Sequence, residues 1–238
     1  MKAKKLLAVL LSALLIASCL PLSGIMAFAD GPYVAEISGQ GYGTIAAAFA
    51  AAQNGDTITL LSDVSLTDRL FVNAGSTPAY AGTNNRYATT TENKAITLDL
   101  AGHNITSTSN IALSGGSLTI KNCTISTSAA GLAPLEVRGT GDLTSKRTLV
   151  IEDSATLTGP QYGLNIFGSN DAQKNKIDVT VDGTVNGMLF VLGNLKNTAN
   201  EINIVINGTV DASNLSGDEI HTGIAGNGYS NITVNNGA

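Results

Sequence analysis

Val179-Thr-Val-Asp-Gly-Thr-Val185 is the stretch that decides the fold, because the chain repeats it with small changes. Further copies of the pattern begin at Ile96, Leu118, Leu149, Ile204 and Ile232. Each copy alternates apolar and polar residues, turns at Asn, Asp or Gly, and then resumes the alternation. We take the last inward residue of each first strand as a marker. The markers lie 20 to 31 residues apart, a spacing typical of repeat architectures: Leu100, Ile120, Ile151, Val181, Ile206 and Val234.

A third short strand is predicted in each unit by a motif that ends in glycine. The motif reads apolar, any, apolar, any, Gly at Ile111–Gly115, Leu135–Gly139, Leu164–Gly168 and Leu189–Gly193. An earlier unit with the same three parts is formed by Ile58–Leu60, Val64–Leu66 and Leu70–Val72. The sequence therefore predicts three short strands in every unit.

This patterning predicts an all-β fold, a right-handed parallel β-helix with three short strands per coil. A single strand cannot bury its apolar face, so successive units must stack around a shared interior. The connections within a unit are too short for crossover helices, which argues against a doubly wound α/β sheet. A β-sandwich of hairpins is the alternative, because its strands also recur at regular spacing. Sandwich strands, however, do not repeat their turn sequence in register.

Residues 1–29 have the three parts of a secretory signal peptide. Three lysines precede a short apolar run, and Ala27-Phe-Ala29 supplies the small residues of a cleavage site. We therefore predict cleavage after Ala29, an extracellular or cell-surface location, and no transmembrane segment in the mature chain. The alternative is lipid anchoring through Cys19, because Ile16-Ala-Ser-Cys19 resembles a lipobox.

Residues 30–57 are predicted to form an N-terminal cap with an amphipathic helix. The stretch Gly43–Gln53 is rich in alanine, and Ile45, Phe49 and Ala52 share one helical face. A helix at this position can cover the open end of a solenoid. Residues 58–238 then form the β-helix, which we expect to be truncated at its C-terminal end because the sequence stops inside a repeat.

The charge balance argues against nucleic acid as a partner. The chain has 13 basic and 18 acidic residues, a formal net charge of -5, and removal of the leader with its three lysines lowers this to -8. No basic stripe counters that charge, so the surface should repel nucleic acid and anionic lipid. Only 13% of the residues are charged, and Asn, Thr, Ser and Gly fill the predicted outside.

The segment Tyr42–Leu60, followed by Ile96–Ile105, resembles the opening of pectin-lyase-like right-handed parallel β-helix domains. Such domains occur in secreted and cell-surface proteins of Gram-positive, Firmicutes-type bacteria. The likeness covers essentially the whole mature chain, but its motifs specify coil geometry and not an active site. Proteins of this fold include polysaccharide lyases, glycoside hydrolases, adhesins and stalks, so the resemblance implies a fold and leaves the function to the site.

The catalytic motifs that the resemblance implies for such enzymes are missing from the sequence. Hydrolases need paired carboxylates around the scissile bond, yet Asp-Asp, Asn-Thr-Asp, Gly-His-Gly and Arg-Ile-Lys do not occur. Pectate-type lyases need Ca²⁺ held by several carboxylates. Glu152, Asp153 and Asp182 follow marker residues of neighbouring coils, so they are the candidates for sharing Ca²⁺. The alternative, which we favour, is a solvated ladder of turn residues.

Large side chains at two places suggest contact with carbohydrate. Two tyrosines lie in a polar insertion between Ala74 and Asn93, and three further residues face outward on predicted third strands. The candidates are Tyr80, Tyr87, Arg138, Phe167 and Phe190. Their rings can stack on a sugar face. The alternatives are that the tyrosines pin the insertion to the coil, and that a loop covers the outward stripe.

Together these features predict a non-catalytic, secreted or surface-displayed β-helix module. It would serve as a structural stalk or adhesin, or contact a polysaccharide or a glycan of a host or cell surface. The alternative is a polysaccharide-active enzyme, pectate-lyase-like or a glycoside hydrolase, with an incomplete site. No cofactor is expected, apart from Ca²⁺ in the lyase alternative.

Overall fold

The computed structural model describes residues 32–73, 92–139, 146–168, 176–192, 201–213, 215, 223–227, 230–235 and 237. The predicted signal peptide with Cys19 lies outside the described residues, and so do Tyr80 and Tyr87. The described residues are nearly all β, with a single α-helix.

The elements follow one another in this order: β1 (Ala35–Ile37), β2 (Gln40–Tyr42), α1 (Ile45–Ala51), β3 (Thr57–Leu60), β4 (Val64–Leu66), β5 (Leu70–Val72), β6 (Ala95–Asp99), β7 (Ile105–Ser107), β8 (Ile111–Leu113), β9 (Ser117–Lys121), β10 (Cys123–Thr127), β11 (Leu135–Arg138), β12 (Arg147–Ile151), β13 (Ala155–Phe167), β14 (Lys176–Val181), β15 (Thr184–Leu192), β16 (Glu201–Ile206), β17 (Thr209–Asp211), β18 (Ile224–Asn227) and β19 (Asn231–Val234).

The strands form two sheets in which pairing is mostly parallel. The first sheet has the order β19, β16, β14, β12, β9, β6, β3, β1, β2, and only β1 and β2 add to it in antiparallel fashion. The second sheet has the order β4, β7, β10, β13, β11, β8, β5, and β15 links β13 to β17 and β18. The first part of β13 pairs with β10 and its last part with β11. The predicted all-β class and parallel pairing are therefore confirmed.

Residues that the repeat makes equivalent lie side by side in both sheets. In the first sheet the aligned residues are Leu98, Ile120, Ile151, Val181, Ile206 and Val234. In the second sheet the third-strand motif aligns Leu70, Ile111, Leu135, Leu164, Leu189 and Ile224. The last of these, in β18, has no counterpart in the sequence prediction because Ile224-Ala-Gly-Asn227 lacks the second apolar residue of the motif.

The first marker was placed two residues too late. Ile120 pairs with Leu98 and not with Leu100, so Asp99 lies beside Lys121 where Ala101 was expected. The reason is the turn that follows β6, in which Ala101 and Gly102 both have positive φ, 49° and 86°. This turn still buries Leu100 completely, which is why the apolar pattern alone runs on past the end of the strand.

The inward side chains of both sheets belong to one hydrophobic cluster. In the first sheet Ile120, Ile151 and Val181 have no exposed surface, and the polar residues between its inward positions are partly or fully exposed. Each such side chain contributes about 1.5–3 kcal/mol on burial.

Arg147 occupies an inward position of β12 beside Ile177 and is only 1% exposed. Arg147 alternates with the inward residues Leu149 and Ile151, and this pattern could have identified its inward position. A charged residue in the core was not expected.

The predicted helix forms at the expected place. Thr44 caps α1, and its hydroxyl accepts a hydrogen bond from the amide of Ala47 at 3.1 Å. Ile45, Ala48 and Phe49 are buried, and α1 packs against β1, β2 and β5. The β1–β2 hairpin in front of it was not predicted, because Gln40-Gly-Tyr42 in β2 lacks the apolar–polar alternation of the repeat strands. No helix in the described part of the chain has the length and apolar character needed to cross a membrane.

Candidate functional site

Asp182, one of the three predicted calcium ligands, is part of a hydrogen-bonded ladder of turn side chains. The Asn207 amide donates to Asp182 Oδ1 at 2.6 Å, and the Asn235 amide donates to Asn207 Oδ1 at 2.5 Å. These three residues directly follow the aligned residues Val181, Ile206 and Val234. The alternative of a turn ladder therefore describes Asp182 and the two residues stacked on it.

Glu152 and Asp153 lie in the corresponding turn after β12, which is the neighbour of β14 in the first sheet. No group of three or more His, Cys, Asp or Glu side chains in the described ranges is arranged to hold a metal ion. Calcium binding by Glu152, Asp153 and Asp182 stays a prediction, and no preformed cluster supports it.

Asp178 is a carboxylate on the outer face of the first sheet that is held by two neighbouring side chains. It accepts a hydrogen bond from the Asn203 amide at 3.0 Å and contacts the ammonium group of Lys146. Burial alone would raise the pKa of Asp178, but the hydrogen bonds from Lys146 and Asn203 and the charges of Lys146 and Lys176 lower it below its ordinary value. These contacts give Asp178 a structural role.

Arg138, Phe167 and Phe190 lie on one outer face of the second sheet, as the third-strand motif predicts. Arg138 pairs in register with Phe167, and its Cζ atom lies 5.6 Å from the centroid of the Phe167 ring. This is cation–π geometry. The Phe190 ring contacts Tyr162, with centroids 5.6 Å apart and planes tilted by 51°. The structure thus gives two contacts, Arg138 with Phe167 and Phe190 with Tyr162, and the sequence did not single out Tyr162.

The centre of this face is closed to solvent. Glu136 is 2% exposed, Arg138 3% and Phe167 8%. The guanidinium of Arg138 contacts Glu136 Oε2, and Arg69 Nη2 lies 3.9 Å from the same oxygen. Charges at this depth are tolerated only when paired. The burial agrees with the alternative in which the stripe is covered, and the half-buried Phe190 remains the more accessible of the three candidates.

A groove that sequence reasoning missed opens where the second sheet loses its regular register. The pairing of β13 with β15 shifts between Thr158 and Tyr162 and again between Tyr162 and Leu164. Next to this irregularity lies a groove of about 410 Å³, lined by Thr127, Thr158, Gly159, Pro160, Asn186, Gly187, Asp211 and Leu215. Ligand pockets typically measure about 300–1,000 Å³. The available signal was Gly159-Pro and Asn186-Gly inside strands that otherwise alternate.

Three polar side chains of the groove stand in one row across neighbouring strands. Thr158 pairs with Asn186, and Asn186 pairs with Asp211. The Asn186 amide donates to Thr158 Oγ1 at 3.3 Å, and the backbone amide of Ser213 donates to Asp211 Oδ1 at 2.8 Å. Hydrogen bonds from the Ser213 side chain and then from its backbone amide lower the pKa of Asp211. The groove therefore presents a carboxylate, an amide and a hydroxyl together.

A second groove of about 340 Å³ lies beside the start of α1 and the β4–β5 segment. Three of its polar residues already serve the fold. The Thr44 hydroxyl caps α1, Asp63 Oδ1 accepts the backbone amide of Asn104 at 2.8 Å, and Arg69 donates to Asn110 Oδ1 at 2.6 Å. The groove at the register shift is the better candidate, because Asn186 and Asp211 retain hydrogen-bonding capacity beyond their described contacts.

Comparisons of the chain with protein-family models, with curated proteins and with solved structures found no match. No relative therefore supplies a function for the groove or for the aromatic face.

Proposed function

We propose that the chain is a right-handed parallel β-helix that acts as a non-catalytic, secreted or surface-displayed module, a stalk or adhesin whose outer side chains contact carbohydrate. One observation carries the proposal, the alignment of like residues with like residues along successive strands. The clearest row consists of Val64, Ile105, Ile125, Leu157, Val185 and Val210. Because successive units stack and their apolar faces line a shared interior, such a chain forms a regular scaffold.

The outer side chains support a role in contacting carbohydrate. Ser65, Thr106, Ser126, Thr158, Asn186 and Asp211 follow one another on the outer side of the second sheet. Short hydroxyl, amide and carboxylate groups match the hydroxyl groups of a sugar chain, since each can donate or accept hydrogen bonds. The half-buried Tyr162 and Phe190 add aromatic rings of the kind that pack on the apolar face of a sugar.

The rival function, a polysaccharide-active enzyme, is less well supported. Catalysis of either type needs carboxylates that converge on a scissile bond or on Ca²⁺. Three carboxylates on the first sheet are instead held by neighbours: Asp99 by Lys121 at 3.3 Å, Asp178 by Lys146, and Asp182 by Asn207. Carboxylates held in this way support a binding function better than a catalytic one.

An extracellular location forms part of the proposal and rests on the three-part leader of residues 1–29. Expression in a Gram-positive host, followed by mass determination of the product in the medium, tests it. A mature chain that starts at Asp30 is expected. A lipid-modified chain that starts at Cys19 would instead establish anchoring, and a chain retained in the cytoplasm would overturn the location.

The secreted chain, applied to a broad glycan array, tests the function. Binding to at least one class of glycan is expected. In parallel, the chain is incubated with polygalacturonate and Ca²⁺, and we expect no ultraviolet absorbance from unsaturated uronate products. Product formation would overturn the proposal in favour of a lyase. If no glycan binds, the carbohydrate part of the proposal is removed and a structural role remains.

A further inference from the structure

We propose that the groove at the register shift is a binding site for neutral or amino-sugar oligosaccharides, and that it does not accept polyuronates. The inference rests on the proposed carbohydrate contact and names its place and its ligand class. Three features of the groove carry it: the charge of Asp211, the row of polar side chains that leads into the groove, and the glycines in its lining.

Asp211 sets the charge that the site prefers. Its side chain is half-buried, and the two hydrogen bonds from Ser213 favour the carboxylate form by lowering its pKa. A carboxylate accepts hydrogen bonds from sugar hydroxyls, and it attracts the ammonium group of an amino sugar with a charge-assisted bond. The same charge, in a chain whose net charge is -8 once the leader is removed, repels the carboxylates of a polyuronate.

The polar row gives the site a direction. From Asp211 it runs through Asn186 and Thr158 to Ser126 and Thr106 on successive strands. Neighbouring strands lie about 4.8 Å apart, so polar groups recur at that interval along the row. A linear oligosaccharide lying along the row can meet several of these groups in turn, whereas a single sugar ring would fill only the groove itself.

Glycine and apolar residues in the lining give the groove its shape. Gly187 has a φ of +116°, and a Cβ atom added there would come within 2.6 Å of the backbone nitrogen of Gly163. Only glycine fits this position, so the backbone that lines the groove here packs closely against Gly163. Pro160 and Leu215 supply apolar surface at the walls. Apolar walls with a few convergent polar groups are characteristic of small-molecule sites.

The test compares two groove variants with a matched control, using the secreted full chain and isothermal titration calorimetry. Asp211→Asn removes the groove charge, and Asn186→Ala removes the central amide. Asp178→Asn is the control, because Asp178 is also an aspartate with a lowered pKa but lies on the first sheet. The probes are chito-oligosaccharides with free amino groups, cello-oligosaccharides and oligogalacturonides. Circular dichroism and melting curves confirm that each variant is folded.

We expect Asp211→Asn to weaken binding of the amino sugar about tenfold or more, and that of the neutral sugar less, since a charge-assisted bond is lost only for the former. Asn186→Ala should weaken both, and Asp178→Asn neither. Glycan binding that survives in both groove variants would overturn this site and leave the proposed function intact. Tighter binding of oligogalacturonide than of either other probe would overturn the ligand class. Failure to bind any glycan on the array would overturn the carbohydrate function itself, and the groove with it.

Discussion

The two sheets share one repeat but differ in regularity. In the first sheet the described strands from β6 to β19 pair without a register shift, and their outer face carries ladders such as Asp178–Asn203–Asn231. In the second sheet β13 and β15 break register, and the outer face holds a buried ion pair and the groove. The difference suggests that the regular sheet provides the scaffold and that binding belongs where the repeat is broken.

Glycine and proline cause the break. Gly159-Pro160 and Gly163 lie within β13, and Gly187 lies within β15. Proline has no backbone N–H to donate to a neighbouring strand, and glycine adopts the backbone angles that a bulge requires. The first-sheet strands contain neither residue between β6 and β19 in the described elements. Local chain chemistry thus accounts for the contrast between the sheets.

The largest expected effect contrasts the outer faces of the two sheets through one residue type. Glu136→Ala removes the carboxylate that contacts Arg138 in a buried setting, and we expect a loss of about 3–5 kcal/mol in the free energy of unfolding. Glu152→Ala, in the partly exposed turn that follows β12 of the first sheet, should cost at most about 0.5 kcal/mol. Urea unfolding measures both. Similar losses would show that the outer faces do not differ as described.

Substitutions on the inner faces of the two sheets, by contrast, should lower the free energy of unfolding by similar amounts. Ile151 in the first sheet and Leu164 in the second are both fully buried in the same cluster. Ile151→Ala and Leu164→Ala should each lower the free energy of unfolding by about 2–5 kcal/mol, because each leaves a cavity in a packed column. The measurement is again urea unfolding, and both variants should unfold in a single transition. Two separate transitions in either variant would mean that the sheets do not share one core.

The sequence predicted the regular parts of the fold better than the irregular ones. Period-two alternation located the inward residues of both sheets, because one face of every strand must be buried and the pattern records it directly. It placed the first marker at Leu100 instead of Leu98, since Leu100 is buried by a turn and not by a strand. The helix Ile45–Ala51 followed from an apolar face and a cap, both of which are local signals.

The groove could not be predicted in the same way. Thr158, Asn186 and Asp211 pair in register on three neighbouring strands, but the groove beside them lies where a bulge changes the path of β13 and β15. Arg138 and Phe167 were placed on the correct face, yet their burial depends on what packs over that face, which alternation within a strand does not encode. Composition likewise gives no sign that Glu136 and Arg138 form a buried pair.

A third, smaller effect tests the bulge itself through two glycines with positive φ. At Gly187 an alanine would be strained at φ +116° and would crowd the Gly163 nitrogen, whereas at Gly102, with φ +86°, open space surrounds the added Cβ. We expect Gly187→Ala to cost about 3 kcal/mol and Gly102→Ala about 1 kcal/mol in the free energy of unfolding. Thermal unfolding followed by circular dichroism provides the comparison. Equal costs would argue against close backbone packing in the groove lining.

The smallest expected effect is a change of stability with pH, and it arises from Asp178 in the first sheet. The pKa of Asp178 is lower in the folded chain than in the unfolded one, so the folded state binds the proton more weakly. Its contribution to stability is therefore present above the ordinary carboxyl pKa of about 4 and is lost as the pH falls below that value through the folded pKa.

Asp178→Asn should accordingly be less stable than the wild type at pH 7, and the difference should shrink as the pH falls from about 4 towards 2, where both side chains are uncharged. Urea unfolding of the two proteins across this range measures the difference, and subtraction removes the contribution of the other carboxylates. Thr180→Val, an uncharged change two residues further along β14, should differ from the wild type by the same amount at every pH. A difference for Asp178→Asn that stays constant, or grows in acid, would mean that Lys146 and Asn203 do not stabilise the charged carboxylate and that the first sheet is held by its core alone.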